Sequence, residues 1–453
     1  MEAPALRDEA RTLVRLSLPV VAAQLGTMTM GMVDTAMVGH VSVDALAAAS
    51  IGNAFVFSTL LSSNGLLMGM DPIVSHAHGR GDGRTSGLTL QRGALLALAL
   101  TLVLSLVWSQ AGRLFAELGQ EPGLVEAAAR YVRVQIPSIV FFVGFTALRQ
   151  QLQGREIMRP AMWATVVANA SNVVLNWVLI FGHWGFPALG LEGAGIATGI
   201  NRAVMFALLA WLVWAADLLE GAWVPWSREA FELRGMLRIV QLGWPVALQI
   251  ALEVMAFSGS TVVAGWIGAT AIAAHQVTLN FAALSFMMPF GISQAAAARV
   301  GNLLGARQPE RAQRAAWLSL AMGAFVMGVS AVAFVRFRGL LPRALTDEAD
   351  VIALSALVFP IAAAFQIFDG VQVVGCGILR GMGRTRPVAW LNLVAYWALG
   401  LPLGAWWALR AGWGLPGIWW GLCLGLAVVA SALVLWIRVR GPASLAGAQQ
   451  IVA

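Results

Sequence analysis

Three carboxylates, Asp34, Glu253 and Asp369, each lie in the middle of a long apolar run with no basic residue beside them. A charged side chain at bilayer depth costs roughly 2.5–3.5 kcal/mol on insertion scales, so a chain that keeps one there generally uses it on an ion, a proton or a substrate. Asp34 shares a helical face with Met30 and Thr27, at i−4 and i−7. A later run carries Thr165, Asn169, Asn172 and Asn176 on one face, and the run after it adds Thr198 and Asn201. One carboxylate with amide and hydroxyl oxygens is a ligand set for a hard monovalent cation, or an Asp that alternates between protonated and charged forms. The Asn face also reads as polar glue between helices, and its spacing leaves both readings open. A second constellation sits in the other half: Gln249 and Glu253 at i, i+4, and Gln366, Asp369 and Gln372 at i, i+3, i+6. Two acids and three amides could line one cavity.

The elements that must position these residues are membrane helices. Of the 453 residues, 59% are hydrophobic and only 11% charged, far from the roughly 25% charged of soluble domains. A hydrocarbon core about 30 Å thick needs about 20 apolar residues per helix. On that measure the chain divides into twelve spans, at 16–38, 45–72, 93–112, 129–153, 160–182, 191–215, 238–265, 270–297, 315–335, 351–378, 387–409 and 417–437. Strand-like alternation is absent, which excludes an outer-membrane barrel with spans of about ten residues.

The net charge of +7 is a statement about topology. All 29 basic residues are Arg. With the N-terminus cytoplasmic, most of them fall in cytoplasmic segments, a bias that predicts both termini inside and a multi-pass protein of a bacterial inner membrane. Arg202 falls inside a span. No basic domain interleaved with aromatics is present, so nucleic-acid binding is excluded and membrane lipids are the surroundings. The segment MEAPALRDEARTLVR is mixed in charge and reads as the start of the first helix, not as a cleavable signal. Cys376 and Cys423 lie far apart in two spans and predict no structural disulfide.

An internal repeat organises the chain. LSLPVVAAQ and QLGWPVALQ align so that Pro19 pairs with Pro245, Gly39 with Gly265 and Gly79 with Gly305. The predicted organisation is a six-helix N-terminal lobe at 1–215, a cytoplasmic linker at 216–237, a six-helix C-terminal lobe at 238–440 and a short cytoplasmic tail at 441–453. Six spans per repeat give the lobes the same orientation, related by an axis along the membrane normal, and substrate is expected where they meet. The repeat sets Thr27 opposite Glu253 and Ser260 opposite Asp34, so the acids occupy non-equivalent places and the lobes are expected to divide labour.

Other polar residues carry weaker signals. His275, beside Gln276, reads either as hydrogen-bonded core or as a proton relay. His76 and His78 flank HAHGRGDGR, which predicts a solvated turn, since two nitrogens with no third ligand make a poor metal site. Asp71, before Pro72, is expected at a span end within reach of water. Walker A, HExxH and GxSxG motifs in credible contexts are absent, and no extramembrane segment could hold a catalytic domain. The chain therefore predicts an ion-driven process without an enzymatic site or cofactor.

Taken in order, AAQLGTMTMGMVDTAMVGHVS, LNWVLIFG, GAGIATG, QIALE, AAHQVTLNF and FDGVQVVGCGILRGMGRTRP resemble the multidrug and toxic compound extrusion (MATE) transporters, in their NorM-like branch, over essentially the full chain. The resemblance implies an all-α membrane protein of twelve helices in two lobes with a V-shaped central cavity. It also implies antiport of Na⁺ or H⁺ against amphipathic organic cations, with a monomer as the functional unit. It implies a coupling-cation site at Asp34, Asn172, Asn176 and Thr198, where Na⁺ would bind. Glu253 and Asp369, with Gln249 and Gln366, match the acids of a second cation or substrate site, and Met30, Thr27, Phe365, His275 and Gln276 are candidate cavity residues. Phe365 departs from the Tyr of some relatives and removes a hydroxyl one turn before Asp369. Two rivals fit less well. A lipid-linked precursor flippase of related architecture needs cavity Arg residues for an anionic headgroup, and an integral membrane transferase gathers its groups near one interface.

Overall fold

The computed structural model describes residues 3–445, with side-chain surroundings from Arg7 onward. Residues 446–453 of the expected tail lie outside them. The described residues form α1 (Ala3–Gly39), α2 (Val43–Leu67), α3 (Met70–Gly79), α4 (Gly83–Ser109), α5 (Ala111–Glu117), α6 (Pro122–Val134), α7 (Ile139–Gly154), α8 (Arg159–Phe181) and α9 (Gly190–Ala215). There follow α10 (Leu233–Ile267), α11 (Ala269–Gly305), α12 (Pro309–Arg336), α13 (Ala349–Gly381), α14 (Arg386–Asn392), α15 (Leu401–Leu409) and α16 (Leu415–Arg440). A π-helix, Leu393–Gly400, joins α14 to α15. Counted as continuous rods, twelve of these stretches are long and apolar enough to cross a membrane.

Helices outrun the apolar windows. Hydropathy predicts 16–38, 93–112 and 315–335 for the first, third and ninth spans, whereas the helices run Ala3–Gly39, Gly83–Ser109 and Pro309–Arg336. The added turns carry Arg7, Arg11, Arg15, Arg84, Arg92, Arg311 and Arg314. Arg is a good helix former whose long stem covers apolar surface while its head reaches water, so the helix continues where hydropathy stops. Starts are set locally: Ser42 Oγ accepts from the Ala45 amide at 3.0 Å to cap α2, and Asp82 Oδ1 accepts from Thr85 at 2.9 Å to cap α4. Pro19, Pro245, Pro289 and Pro360 sit inside helices, which neighbouring helices in a membrane bundle tolerate.

Contacts divide the chain into two compact units. One comprises Ala22–Val74 and Asp82–Gly243, and the other Met1–Val21, Ser75–Gly81 and Trp244–Ala453. The division falls inside α1, α3 and α10. In the first unit, which holds Asp34, the core gathers around Trp108, Tyr131, Ile139 and Val143. Gly26 lets α1 lie close on α8, since a Cβ there would stand 2.8 Å from Asn169 Nδ2. The linker begins after Ala215 and ends at Glu232, because α10 starts at Leu233. It is strapped to the helix ends of this unit: Arg155 donates to the Leu218 carbonyl and, at 2.9 Å, to that of Glu220. Gln91 donates to Val224 O at 2.6 Å, and Arg84 pairs with Glu229 at 2.7 Å. Asp71 differs from its expected wet position and is only 5% exposed.

In the second unit, which holds Glu253, the core is built on Phe359, Phe365, Tyr396 and Trp419. α12 and α13 touch backbone to backbone, for a Cβ on Gly370 would stand 2.7 Å from Gly323 O. Near its ends this unit carries an ion pair, Arg299 Nε to Glu9 Oε1 at 2.5 Å and Nη2 to Oε2 at 2.9 Å. His76, expected in a solvated turn, is instead buried on α3, and its Nε2 donates to Gly381 O at 2.8 Å. The helix extends to Gly79 because MDPIVSHAHG contains no residue that stops it sooner.

Candidate functional site

Asp34 is 6% exposed on α1. Its Oδ1 accepts from Asn176 Nδ2 at 2.5 Å and its Oδ2 from Thr198 Oγ1 at 3.2 Å. Asn176 Nδ2 also reaches Asn172 Oδ1, at 3.3 Å, one turn earlier on α8. Both Asn side chains are fully buried. A second tie fixes the register of α1 against α9: Asn201 Nδ2 donates to Met30 Sδ at 3.1 Å, and Asn201 Oδ1 accepts from Ser171 at 2.9 Å. Asp34 is thus held from two helices by neutral donors. Thr165 and Asn169 bond their own helix, to Ala161 O at 2.9 Å and Thr165 O at 3.0 Å. Thr27 likewise bonds Ala23 O at 3.0 Å and is exposed, two turns from Asp34.

The cluster's chemistry suits a hard monovalent ion. Asp34 offers two oxygens, Asn172 and Thr198 one each, and Asn176 Oδ1 is buried with no hydrogen-bond partner. An orphaned acceptor beside a carboxylate is the arrangement a cation completes. Among the described residues no three His, Cys, Asp or Glu side chains gather as a transition-metal site would require.

In the second unit Glu253 and Gln249 lie on one face of α10, and Gln366, Asp369 and Gln372 on α13. Asp369 is 3% exposed and lies within electrostatic reach of Glu253. Gln249 is buried, near Cys376. Gln366 donates to Ser285 Oγ, and Gln372 donates to Asn392 Oδ1 at 3.4 Å. Phe365 packs edge-on against Phe257 at 6.1 Å and Trp419 at 5.7 Å. His275 is buried, its Nε2 3.1 Å from Ser260 Oγ and its ring edge-on to Trp419, while Gln276 is exposed.

Two tyrosines escaped the reading of the sequence. Tyr396, on the π-helix, lies buried within electrostatic reach of Glu253 and Asp369, its hydroxyl without a hydrogen-bond partner. π-Helical turns frequently occur at functional positions. Tyr131 donates to Asn53 Oδ1 at 2.7 Å near Asp34. The chain contains only two Tyr, and that scarcity was the one available signal.

Twelve apolar spans with carboxylates buried among amides and hydroxyls define a polytopic membrane transporter, not an enzyme. The MatE family model matches residues 19–178 and again 245–406, starting at Pro19 and at Pro245, and the chain belongs to this family. It is similar to Multidrug resistance protein MdtK of Yersinia pseudotuberculosis, with 34% identity over 435 residues covering 95% of each chain. It is also similar to Probable multidrug resistance protein NorM of Mesorhizobium japonicum, 35% identical over 448 residues, 95% of this chain and 94% of that one. Its fold matches the crystal structure of the eukaryotic MATE transporter AtDTX14 with a TM-score of 0.89 at 22% identity, covering 98% of both chains. A multidrug resistance MATE family transporter of the MOP superfamily, solved in an outward-facing conformation, matches with 0.89 at 19% identity over 97% of this chain and 98% of that one.

Proposed function

We propose that the protein is a secondary active efflux transporter that exports amphipathic organic cations, drugs or toxic metabolites, in exchange for Na⁺ or H⁺. The observation that supports this best is Asp34, buried between Asn176 and Thr198 with the Asn176 carbonyl left without a partner. A carboxylate so placed binds one cation at a time. Na⁺ or H⁺ arriving from outside neutralises it and lowers the affinity of its surroundings for a cationic substrate, which leaves. The exchange drives transport because ion and substrate prefer different conformations; a ligand that binds both equally shifts nothing. Glu253 and Asp369, with Gln249 and Gln366, serve as the second cation or substrate site, with the free Tyr396 hydroxyl near them. The names of two relatives, both multidrug resistance proteins, support the substrate class. The Arg bias supports an inner-membrane protein with both termini cytoplasmic.

The test is efflux of a fluorescent lipophilic cation from proteoliposomes under separate Na⁺ and pH gradients. Wild type moves the dye under one of them, and Asp34→Asn, folded and inserted, does not. Normal gradient-driven efflux by Asp34→Asn removes the coupling role, and transport under neither gradient removes the antiporter reading.

A further inference from the structure

Arg202 lies well inside the span Gly190–Ala215, and the mechanism above leaves it idle. It stands on α9 one turn after Thr198 and on the same face, so it is a neighbour of the hydroxyl that holds Asp34. Yet it forms no ion pair with any carboxylate among the described residues. Its Nη1 donates to Ser138 Oγ at 2.9 Å, and its guanidinium lies 5.9 Å from the ring centre of Trp108 and 5.8 Å from that of Phe142. Trp108 closes α4, Ser138 precedes α7 and Phe142 lies in its first turn. Two aromatic faces and a hydroxyl therefore hold the cation to one side, where aromatic quadrupoles replace part of its hydration. The ionisable groups in electrostatic reach of it are Asp34 on α1 and Tyr131 on α6. The side chains facing it from α4 and α7 are neutral.

We infer that Arg202 is a tethered competitor of the coupling cation, a fixed positive charge held near Asp34 but kept off it by Ser138, Trp108 and Phe142. This rests on the assignment of Asp34 as the coupling site. With Asp34 ionised and empty, the two charges balance inside the unit. A Na⁺ or H⁺ that binds Asp34 must do so in the field of the guanidinium, which weakens its hold. Unlike charges in a low-dielectric interior are weakly screened, so the effect on binding is about tenfold or more. The ion can then leave as readily as it enters, which a cycling transporter requires of its coupling site. Arg202 is a positioning residue for charge, and its removal should tighten ion binding, whereas structural damage would loosen it.

The experiment measures the concentration of Na⁺ and of external H⁺ that half-saturates ethidium efflux from proteoliposomes, for wild type, Arg202→Gln, Arg202→Lys, Ser138→Ala and Asp34→Asn. The expected result is a half-saturating concentration of the driving ion about tenfold lower in Arg202→Gln, with Arg202→Lys within about threefold of wild type because the charge remains. An unchanged or raised value in folded Arg202→Gln overturns the proposal. Should Arg202→Gln fail to insert, Ser138→Ala decides: releasing the guanidinium towards Asp34 raises the half-saturating concentration, and an unchanged value overturns the proposal. Loss of efflux in Asp34→Asn with no shift in Arg202→Gln rejects the competitor alone, whereas normal efflux in Asp34→Asn rejects the coupling site beneath it.

Discussion

Asn176 Nδ2 stands 2.5 Å from Asp34 Oδ1, joining α8 to α1 inside two apolar spans, while the other amide atom, Oδ1, has no partner. One side chain thus orients the carboxylate and leaves an acceptor for an ion. Asn176→Leu removes both functions at similar volume. A hydrogen bond to a charged group contributes about 1.5–3 kcal/mol, so the Na⁺ concentration that half-saturates Na⁺-driven efflux should rise about tenfold or more. Proteoliposome efflux at graded Na⁺ reads it, and an unshifted curve takes Asn176 out of the site.

Tyr396→Phe keeps the ring that packs 6.3 Å from Phe257 and deletes only the unpartnered hydroxyl near Glu253. The variant should fold with thermal stability close to wild type and transport a cationic dye several-fold more slowly. A large loss of stability with normal specific activity would make the tyrosine a packing residue only.

Gly370, next to Asp369, faces Gly323 O at a distance where a Cβ would sit at 2.7 Å. Gly370→Ala forces α12 and α13 apart, and overpacking of this kind costs about 1–3 kcal/mol. Thermal unfolding in detergent should show a clear drop in midpoint, whereas Gly328→Ala, with open space around its Cβ, should not. Equal midpoints would mean that the helix pair is looser than its geometry.

Arg155 is the clasp of the linker, donating to the carbonyls of Leu218 and Glu220. Arg155→Ala frees that stretch, and limited proteolysis should cut between 216 and 232 at least several-fold faster while the helices stay intact. Unchanged cleavage would show that Gln91 and Arg84 suffice to hold it.

Much of this protein is written locally. Twenty-residue apolar runs specify the spans because a helix in lipid satisfies its own backbone, and the i, i+4 spacing of Asn172 and Asn176 puts them on one face whatever surrounds them. Ser42 and Asp82 mark helix starts through neighbours three residues away. Helix ends at Ala3, Gly83 and Pro309 were less legible, because hydropathy measures lipid and the helix runs on beyond it.

Which side chains from different helices meet was decided by tertiary structure. The rotation and register of each helix depend on close approaches such as Gly26 on α8 and Gly370 on α12, which no local pattern encodes. Those approaches select Asn172, Asn176 and Thr198 for Asp34 while Thr165, Asn169 and Thr27 bond their own helices. They bury His76 against Gly381, 305 residues away. The same cause brings Tyr396 near Glu253 and seats Arg202 over the rings of Trp108 and Phe142. Residue types and their spacing told which groups could do chemistry; the packing of backbones told which of them do it together.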